Sequence, residues 1–491
     1  MPGLTRWLAA AVAALGLLLM LPTAAQAKWL RAETPRFIVY SDGSEVTLRD
    51  QITKLEAFDT ILRQFHGLPA EGVPPRKMEI YLVDGPTGLR RVWPGAEGIA
   101  GFYSADEDGV FSVAVRQRKE DRTLFHEYTH HFMLQFFPYP YPAWLIEGYA
   151  EYFGATQFNG KFIEVGRFDE GRTNNLIYLG WVSLDDLLTK RPFQLGDGDS
   201  AALFYAQAWL LTHYFMGDAQ RYPRMLAYMK EVGSGENSAE AMVRAAGMPL
   251  PDLDRTLRSY LKGGLPYGRY PMSPPPAVAV SVLPPSADDT LLLSLRLIQG
   301  ARPSDELMAD IRKVVAKWPG DRSAILLLAN ALTRSGDPAA AEQSLRDLLA
   351  VNPNDVDVLI ALGNNRLAAA RDVPDRRTAL HREAGKLFAR AYKLDAASYK
   401  ALYGYVRSRT VESGYPNDND MEALLAANEL APQADDITLA AAYASILRRE
   451  WPRARALLLP LANSPHGGDA AREARDMLKR VDAASPAPAP A

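Results

Sequence analysis

Residues 124–153 of this chain read LFHEYTHHFMLQFFPYPYPAWLIEGYAEYF and contain His-Glu-x-x-His, with His126 and His130 four positions apart. On an α-helix, residues four apart lie on the same face, one turn above each other, so both imidazoles can reach one cation. A zinc site that performs chemistry uses three protein ligands and leaves one position open. The spacing therefore predicts a helix that carries two of three metal ligands.

A second helix is predicted to supply the third ligand. Proline ends the first helix, predicted from about Glu120 to Phe136, and Pro142 suits the first position of the second. The second helix carries Glu147 and Glu151 one turn apart. If Glu147 is the ligand, Glu151 is placed to accept a hydrogen bond from the other ring nitrogen of a ligating histidine. Glu127 then remains as a carboxylate that is free for proton transfer.

The segments HEYTH and WLIEGYAEYF resemble the gluzincin zinc peptidases, the group of thermolysin and of the zinc aminopeptidases of the leukotriene hydrolase type. The second segment is close to the aminopeptidase pattern Trp-Leu-x-Glu-Gly-x-Ala. The resemblance implies an α+β gluzincin-like peptidase domain in which Zn²⁺ is bound by His126, His130 and Glu147. It also implies that Glu127 is the general base and that Glu151 is the outer-shell partner of a ligand.

The alternative to a metal site is a pair of amphipathic helices with packed or solvated histidines. Three of the chain's seven histidines lie between residues 126 and 131, which argues against that alternative. A strand is predicted just before the motif, at Gly109–Val115. The resemblance implies that such a strand lies at a sheet edge and pairs with substrate, and an internal core strand is equally compatible with the residues.

A peptidase also needs a donor for the oxyanion that forms on the scissile carbonyl. Tyr205, in a long helix predicted to open at Ser200, is the first candidate. The resemblance supports this choice, because the zinc aminopeptidases carry a tyrosine at a comparable distance beyond the ligating glutamate. His213 is the second candidate and His131 the third, and simple packing or solvation is the alternative for each.

The resemblance does not extend to aminopeptidase specificity. Those enzymes use a G-x-M-x-N motif ahead of the helix to bind substrate, and DGVFSVAV occupies that place here. The composition argues against nucleic-acid binding and against cysteine-dependent chemistry. A net charge of −3 gives no electrostatic footprint for nucleic acid, and the lack of cysteine excludes disulfides, a thiol nucleophile and thiolate metal ligands.

The first 27 residues are predicted to be a signal peptide. Arg6 precedes an apolar run over residues 8–21, and Ala25-Gln26-Ala27 matches a cleavage site. The run is short for a bilayer span, so we expect no stable membrane span after signal removal, although an uncleaved anchor is the alternative. The mature protein is therefore predicted to be exported, into the periplasm if the source is Gram-negative.

The chain beyond the predicted peptidase domain, residues 28–265, changes character. A proline-rich linker is predicted over 266–289, an all-α repeat domain over 290–480 and a disordered tail over 481–491. KWPGD at 317 recurs as VNPND at 351, which is 34 residues later, the period of tetratricopeptide repeats. About four degenerate helix pairs are predicted, and an irregular helical domain without a binding groove is the alternative.

These observations together predict an exported zinc metallopeptidase that acts on peptides or proteins and uses its repeats to recruit a substrate or protein partner. The alternative is a catalytically inactive, peptidase-like adaptor that binds partners through its repeats. A purely structural zinc site has no need of a base, so the presence of Glu127 favours the enzyme. Polysaccharide hydrolysis is disfavoured, because no paired acids typical of a sugar-binding cleft are evident.

Overall fold

The computed structural model describes residues 29–117, 121–196, 198–274, 276–300 and 302–485. The predicted signal peptide and the end of the predicted tail lie outside these residues, as does Glu120, the predicted start of the first helix. The strands of the described part are β1 Leu30–Glu33, β2 Phe37–Ser41, β3 Met78–Val83, β4 Gly101–Ala105, β5 Val110–Val115, β6 Gln157–Asn159, β7 Phe162–Val165, β8 Gly268–Pro271 and β9 Ala279–Val282.

The helices fall into two groups along the chain. Those before residue 265 are α1 Glu45–Phe65, α2 Gly85–Val92, α3 Arg122–Phe136, α4 Ala143–Gly154, α5 Glu170–Tyr178, α6 Leu184–Thr189, α7 Gly198–Met216, α8 Tyr222–Gly233, α9 Ser238–Ala246 and α10 Leu250–Lys262. Those after it are α11 Ala287–Ile298, α12 Asp305–Lys317, α13 Arg322–Ser335, α14 Pro338–Val351, α15 Val356–Asp372, α16 Arg377–Leu394, α17 Tyr399–Arg409, α18 Asp418–Leu430, α19 Asp435–Leu447, α20 Trp451–Ala462 and α21 Gly468–Ala484. We call residues 29–282 the sheet domain and residues 287–485 the repeat domain.

The larger sheet has the strand order β4-β5-β3-β2-β1-β9, and the smaller one has the order β6-β7-β8. Strands β2, β3 and β5 run parallel, whereas β4, β1 and β9 are antiparallel to their neighbours. The strand predicted at Gly109–Val115 is β5, and it lies inside the sheet between β3 and β4. The edge-strand interpretation of that segment is therefore wrong, and β4 occupies the edge instead.

Alternating side chains of the larger sheet face two different layers. Ile80 and Leu82 of β3 belong to the core formed with α1, whereas Tyr81 and Val83 face α2 and α11. Ser44 caps the N-terminus of helix α1, just before its first residue, Glu45. The helix buries the apolar positions that the sequence shows at helical spacing, namely Leu48, Ile52, Leu55, Phe58, Ile61 and Leu62.

The structure corrects the prediction of a semi-rigid linker over the proline-rich segment 266–289. Within it, β8 pairs with β7 and β9 pairs with β1, so the segment adds an edge strand to each sheet. Proline is tolerated on edge strands because one side of such a strand makes no ladder hydrogen bonds. The segment is thus part of the sheet domain, and helix α11 already begins at Ala287.

The repeat domain consists of helix pairs stacked in chain order. Each helix packs on the next, and the first helices of successive pairs, α11, α13, α15 and α17, also contact one another in turn. Within the described part, five pairs followed by α21 replace the four pairs predicted. Helix α21 continues to Ala484, so the first residues of the predicted tail, 481–484, are helical.

The repeat domain packs directly on the sheet domain. Side chains of α17, α18 and α19 belong to the same hydrophobic core as α1, α3 and α4. Polar contacts reinforce this interface: Arg334 with Asp108 at 2.6 Å, Arg407 with Glu107 at 3.0 Å, and Gln433 Nε2 with the backbone oxygen of His131 at 3.2 Å. Across the described residues, the helices are too short or too polar to cross a membrane.

Candidate metal centre

The two helices that carry the motif lie where the sequence predicts them: α3 ends at Phe136 as predicted and begins at Arg122, and Pro142 is the cap residue of α4 rather than its first residue. Helix α3 is capped by Asp121, whose side chain accepts a hydrogen bond from the N–H of Leu124 at 3.1 Å. Helix α4 begins after Pro142 and packs against α3. The segment between them reverses the chain, so the inner faces of the two helices meet.

His126, His130 and Glu147 come together between these helices. The Nε2 atoms of the two histidines are 3.1 Å apart, and each lies 3.6 Å from Oε2 of Glu147. A tetrahedral zinc ion with bonds of about 2.0–2.1 Å places its ligand atoms about 3.4 Å from one another. The spacing of these three atoms therefore fits a common zinc ion, with a fourth position left for another group.

The surroundings of Glu147 also fit a metal ligand. Its side chain is fully buried, and in the described part of the chain neither oxygen accepts a hydrogen bond. Burial opposes the charged carboxylate, but the imidazoles of His130 and His126 lower the pKa of Glu147 overall. A buried carboxylate without a hydrogen bond is costly unless a cation compensates its charge, so the orphaned oxygens favour a bound metal.

Glu151 lies beside His126, one of the histidines that the sequence predicts to bind metal. Its Oε1 lies 3.5 Å from Nδ1 of His126, the ring nitrogen that faces away from the ligand set. Two cations hold it: Arg122 at 2.5 Å, and Arg172 through two contacts, one of them Nε to Oε2 at 2.9 Å. Burial raises the pKa of Glu151, but the hydrogen bonds and charge of Arg172 outweigh it and keep that pKa below the usual value. Glu151 can therefore stay charged and orient His126.

Glu127 and Tyr205 lie beside the three ligands. Glu127 follows His126 on α3, is partly exposed, and has no ion pair or hydrogen bond within the described residues. Tyr205 lies on α7, and its pKa is raised by burial and then by the negative charges of Glu147, Glu151 and, more weakly, Glu127. Glu127 and the protonated hydroxyl of Tyr205 thus lie within electrostatic range of each other and of Glu147, one of the predicted ligands.

The structure places the two alternative oxyanion donors elsewhere. His213 is fully buried, with Nδ1 3.0 Å from the hydroxyl of Tyr260 and Nε2 2.8 Å from the backbone oxygen of Gly166. His131 is buried, and its Nδ1 is 3.0 Å from the hydroxyl of Tyr103. Burial lowers the pKa of His131 to about 3. The contacts of both histidines therefore favour packing roles for them.

Gly148 lets α4 lie against α7, the helix that carries Tyr205. A Cβ atom at position 148 would clash with the backbone oxygen of Ala208 and would lie 2.5 Å from Oγ1 of Thr212. The glycine that follows Glu147 therefore sets the distance between two helices of the site.

Gly148→Ala is expected to destabilise the sheet domain by about 1–3 kcal/mol, because overpacking against backbone forces the helices apart. The measurement is urea unfolding followed by fluorescence of the buried Trp144 and Trp209. Gly171→Ala is the control, since Gly171 is an exposed residue in helix α5 and its added methyl group meets no backbone. Equal stability of the wild type and Gly148→Ala would show that α4 and α7 are not in close contact.

The sequence predicts neither the two arginines that hold Glu151 nor His466, which lies beside Glu147. His466 lies between α20 and α21 of the repeat domain, and its Nε2 is 3.3 Å from Oε1 of Glu147. Its ring is perpendicular to that of His130, with 6.1 Å between the centroids. A lone histidine in a polar loop carries no local signal for such a role. The one local feature next to His466 is the Gly467-Gly468 pair that follows it, which predicts a sharp turn but no contact with the site.

Comparison with known proteins finds a match in the repeat domain. A tetratricopeptide repeat family model matches residues 322–365, which include α13, α14 and the start of α15. No curated protein matches the chain. Similar solved structures include a thermophilic TPR protein from Thermus thermophilus, with 16% identity, a TM-score of 0.35, and coverage of 40% of this chain and 99% of that one. Another is MamA from MSR-1, with 15% identity, a TM-score of 0.25, and coverage of 36% and 87%.

The family match confirms that the predicted helical repeats resemble tetratricopeptide repeats. It begins at the first residue of α13 and ends inside the equivalent helix of the next pair. Tetratricopeptide repeats stack into curved arrays that present a concave binding surface, which suggests interaction with other proteins. The C-terminal part of this chain therefore contains helical repeats of the tetratricopeptide type.

Proposed function

We propose that the sheet domain is a zinc-dependent peptidase of the gluzincin type and that the protein is exported. The observation that carries the proposal is the set His126, His130 and Glu147, whose nitrogen and oxygen atoms lie 3.1–3.6 Å apart. Glu127 supports an enzyme rather than a structural site, because it lies beside the ligands with no partner among the described residues. Export is supported by the apolar run over residues 8–21 and by the cleavage motif Ala25-Gln26-Ala27 that follows it.

The residues of the site have complementary tasks in the proposed reaction. Bound zinc would act as a Lewis acid and make water more acidic. Glu127 accepts the proton of the attacking water and then delivers it to the amine that leaves. Tyr205 donates a hydrogen bond to the substrate carbonyl oxygen as that oxygen gains negative charge. Glu151, held by two arginines, keeps His126 in the orientation that binds metal.

Tyr205→Phe is expected to lower kcat by about 100- to 1,000-fold, the usual effect of removing one donor to an oxyanion. Zinc content should not change, because Tyr205 is not among the ligands. The measurement is steady-state peptide hydrolysis, with Tyr178→Phe as the control, since Tyr178 is 79% exposed on α5. An unchanged kcat in Tyr205→Phe would assign the tyrosine a packing role.

A second candidate function is partner binding by the repeats. A cleft of about 830 Å³ lies between the larger sheet and the first helices of the repeat pairs. Asn330 of α13 and Asn364 of α15 both line it and are 34 residues apart, so they hold the same position in successive repeats. Amide side chains at matching positions can bind the backbone of an extended peptide, which supports the adaptor alternative and substrate recruitment equally well.

One experiment separates the peptidase from the adaptor. The chain from Lys28 onwards is assayed for bound zinc and for cleavage of a mixed peptide library. One zinc per chain together with defined cut sites is the result expected of the peptidase, and the cut sites distinguish exopeptidase from endopeptidase action. Bound zinc without any cleavage would favour the adaptor, and no zinc would contradict the metal centre itself.

A further inference from the structure

The loop between α20 and α21 carries His466 to the metal ligands of the other domain. Of the described histidines outside α3, it is the one that approaches Glu147, with Nε2 3.3 Å from Oε1. Its side chain is 65% exposed, whereas that of Glu147 is 0% exposed. The imidazole therefore contacts the buried carboxylate from the solvent side of the site.

The loop is held on the sheet domain on either side of His466. The side-chain amide of Asn463 donates a hydrogen bond to the backbone oxygen of Pro140 at 2.8 Å, in the segment that joins α3 to α4. The guanidinium of Arg191 donates to the backbone oxygen of Ala462. Gly467 has a φ of +69° and lies against the ring of Phe193, where a Cβ atom would be only 3.1 Å from that ring. These contacts fix the position from which His466 extends.

In the part of the chain that the structure describes, the carboxylate of Glu147 accepts no aligned hydrogen bond that would orient it. Its Oε2 is the oxygen near both histidines, and its Oε1 is the oxygen near His466. Ligating carboxylates are normally held by a hydrogen bond to the oxygen that does not bind the metal. Glu151 cannot donate this hydrogen bond, because its carboxylate is an acceptor that is itself held by Arg122 and Arg172. At 3.3 Å, His466 is within hydrogen-bond distance, and its exposed ring can rotate to align Nε2–H with Oε1.

We propose that His466 is a positioning residue of the metal centre: it donates a hydrogen bond to Oε1 of Glu147 and thereby holds Oε2 towards His126 and His130. The proposal rests on the zinc site of the proposed function and extends it. The repeat domain then completes the metal centre of the sheet domain, and the affinity for zinc depends on the docked loop.

The test is zinc affinity of the full chain, measured by competition with a chromogenic chelator and without any peptide substrate. His466→Ala is expected to weaken zinc binding by about 10- to 100-fold, the usual cost of losing an outer-shell partner. His466→Gln should restore most of the affinity, because its side-chain amide can donate from about the reach of Nε2. Ser464→Ala is the matched control in the same loop and should bind zinc like the wild type.

A second readout distinguishes an orienting role from direct ligation. X-ray absorption at the zinc edge counts bound imidazoles, and two are expected in the wild type and in His466→Ala. Three imidazoles in the wild type would make His466 a ligand and overturn the proposal. Equal zinc affinities of the wild type and His466→Ala would also overturn it, while leaving the proposed peptidase intact. A wild-type chain that binds no zinc would contradict both.

Discussion

Glu127→Gln is expected to abolish peptide hydrolysis while the protein keeps its zinc. Glutamine has nearly the same shape as glutamate, but its amide cannot accept the proton of the attacking water. General acid–base catalysis typically contributes about 100- to 10,000-fold, so the rate should fall by at least that range. Zinc binding should remain because none of the three ligands, His126, His130 and Glu147, is changed.

The measurement compares kcat and zinc content of Glu127→Gln with those of the wild type. Glu170→Gln is a matched control, since it removes one negative charge from an exposed position on α5. The control should hydrolyse peptide like the wild type. Full activity in Glu127→Gln would exclude Glu127 as the base and would require another proton acceptor at the site.

The parts of the site that the sequence predicts are those that local rules determine. His126 and His130 share a helix face because of their spacing, and the prolines before Ala143 set where one helix ends and the next begins. Glu151 is one turn from Glu147, so its place on the same face of α4 follows from the same periodicity. These relations depend on neighbours in the chain, and in the structure Glu151 does lie beside His126.

Other features depend on contacts that the sequence does not encode locally. His213 and Tyr205 are two turns apart on α7, and only the packing of α7 on α4 decides which of them faces the metal ligands. The proline-rich segment predicts a linker because proline-rich, extended chain occurs both in linkers and in edge strands, so composition alone does not distinguish the two. His466 reaches Glu147 only because the repeat domain docks on the sheet domain, a long-range arrangement with no periodic signal.

Glu147→Ala is expected to remove zinc binding, with a loss of affinity of more than about 100-fold. Loss of an outer-shell partner alone costs about 10- to 100-fold, and removal of a ligand also deletes a metal bond and the negative charge of the site. The change also removes a buried charge that lies near the imidazoles of His126 and His130, so we expect metal-free Glu147→Ala to unfold at a lower temperature than the metal-free wild type. The effect of zinc is therefore measured for each protein against its own metal-free unfolding temperature.

The two proteins should differ in how their unfolding temperatures respond to added zinc. A ligand that binds only the folded state stabilises it by about 2.7 kcal/mol at a concentration 100 times its Kd. The unfolding temperature of the wild type should rise with zinc, that of Glu127→Gln should rise equally, and that of Glu147→Ala should stay constant. A zinc-dependent rise in Glu147→Ala would show that the histidines bind metal without this carboxylate. In that case the α4 helix would not be part of the metal centre, and the role of His466 would lose its basis as well.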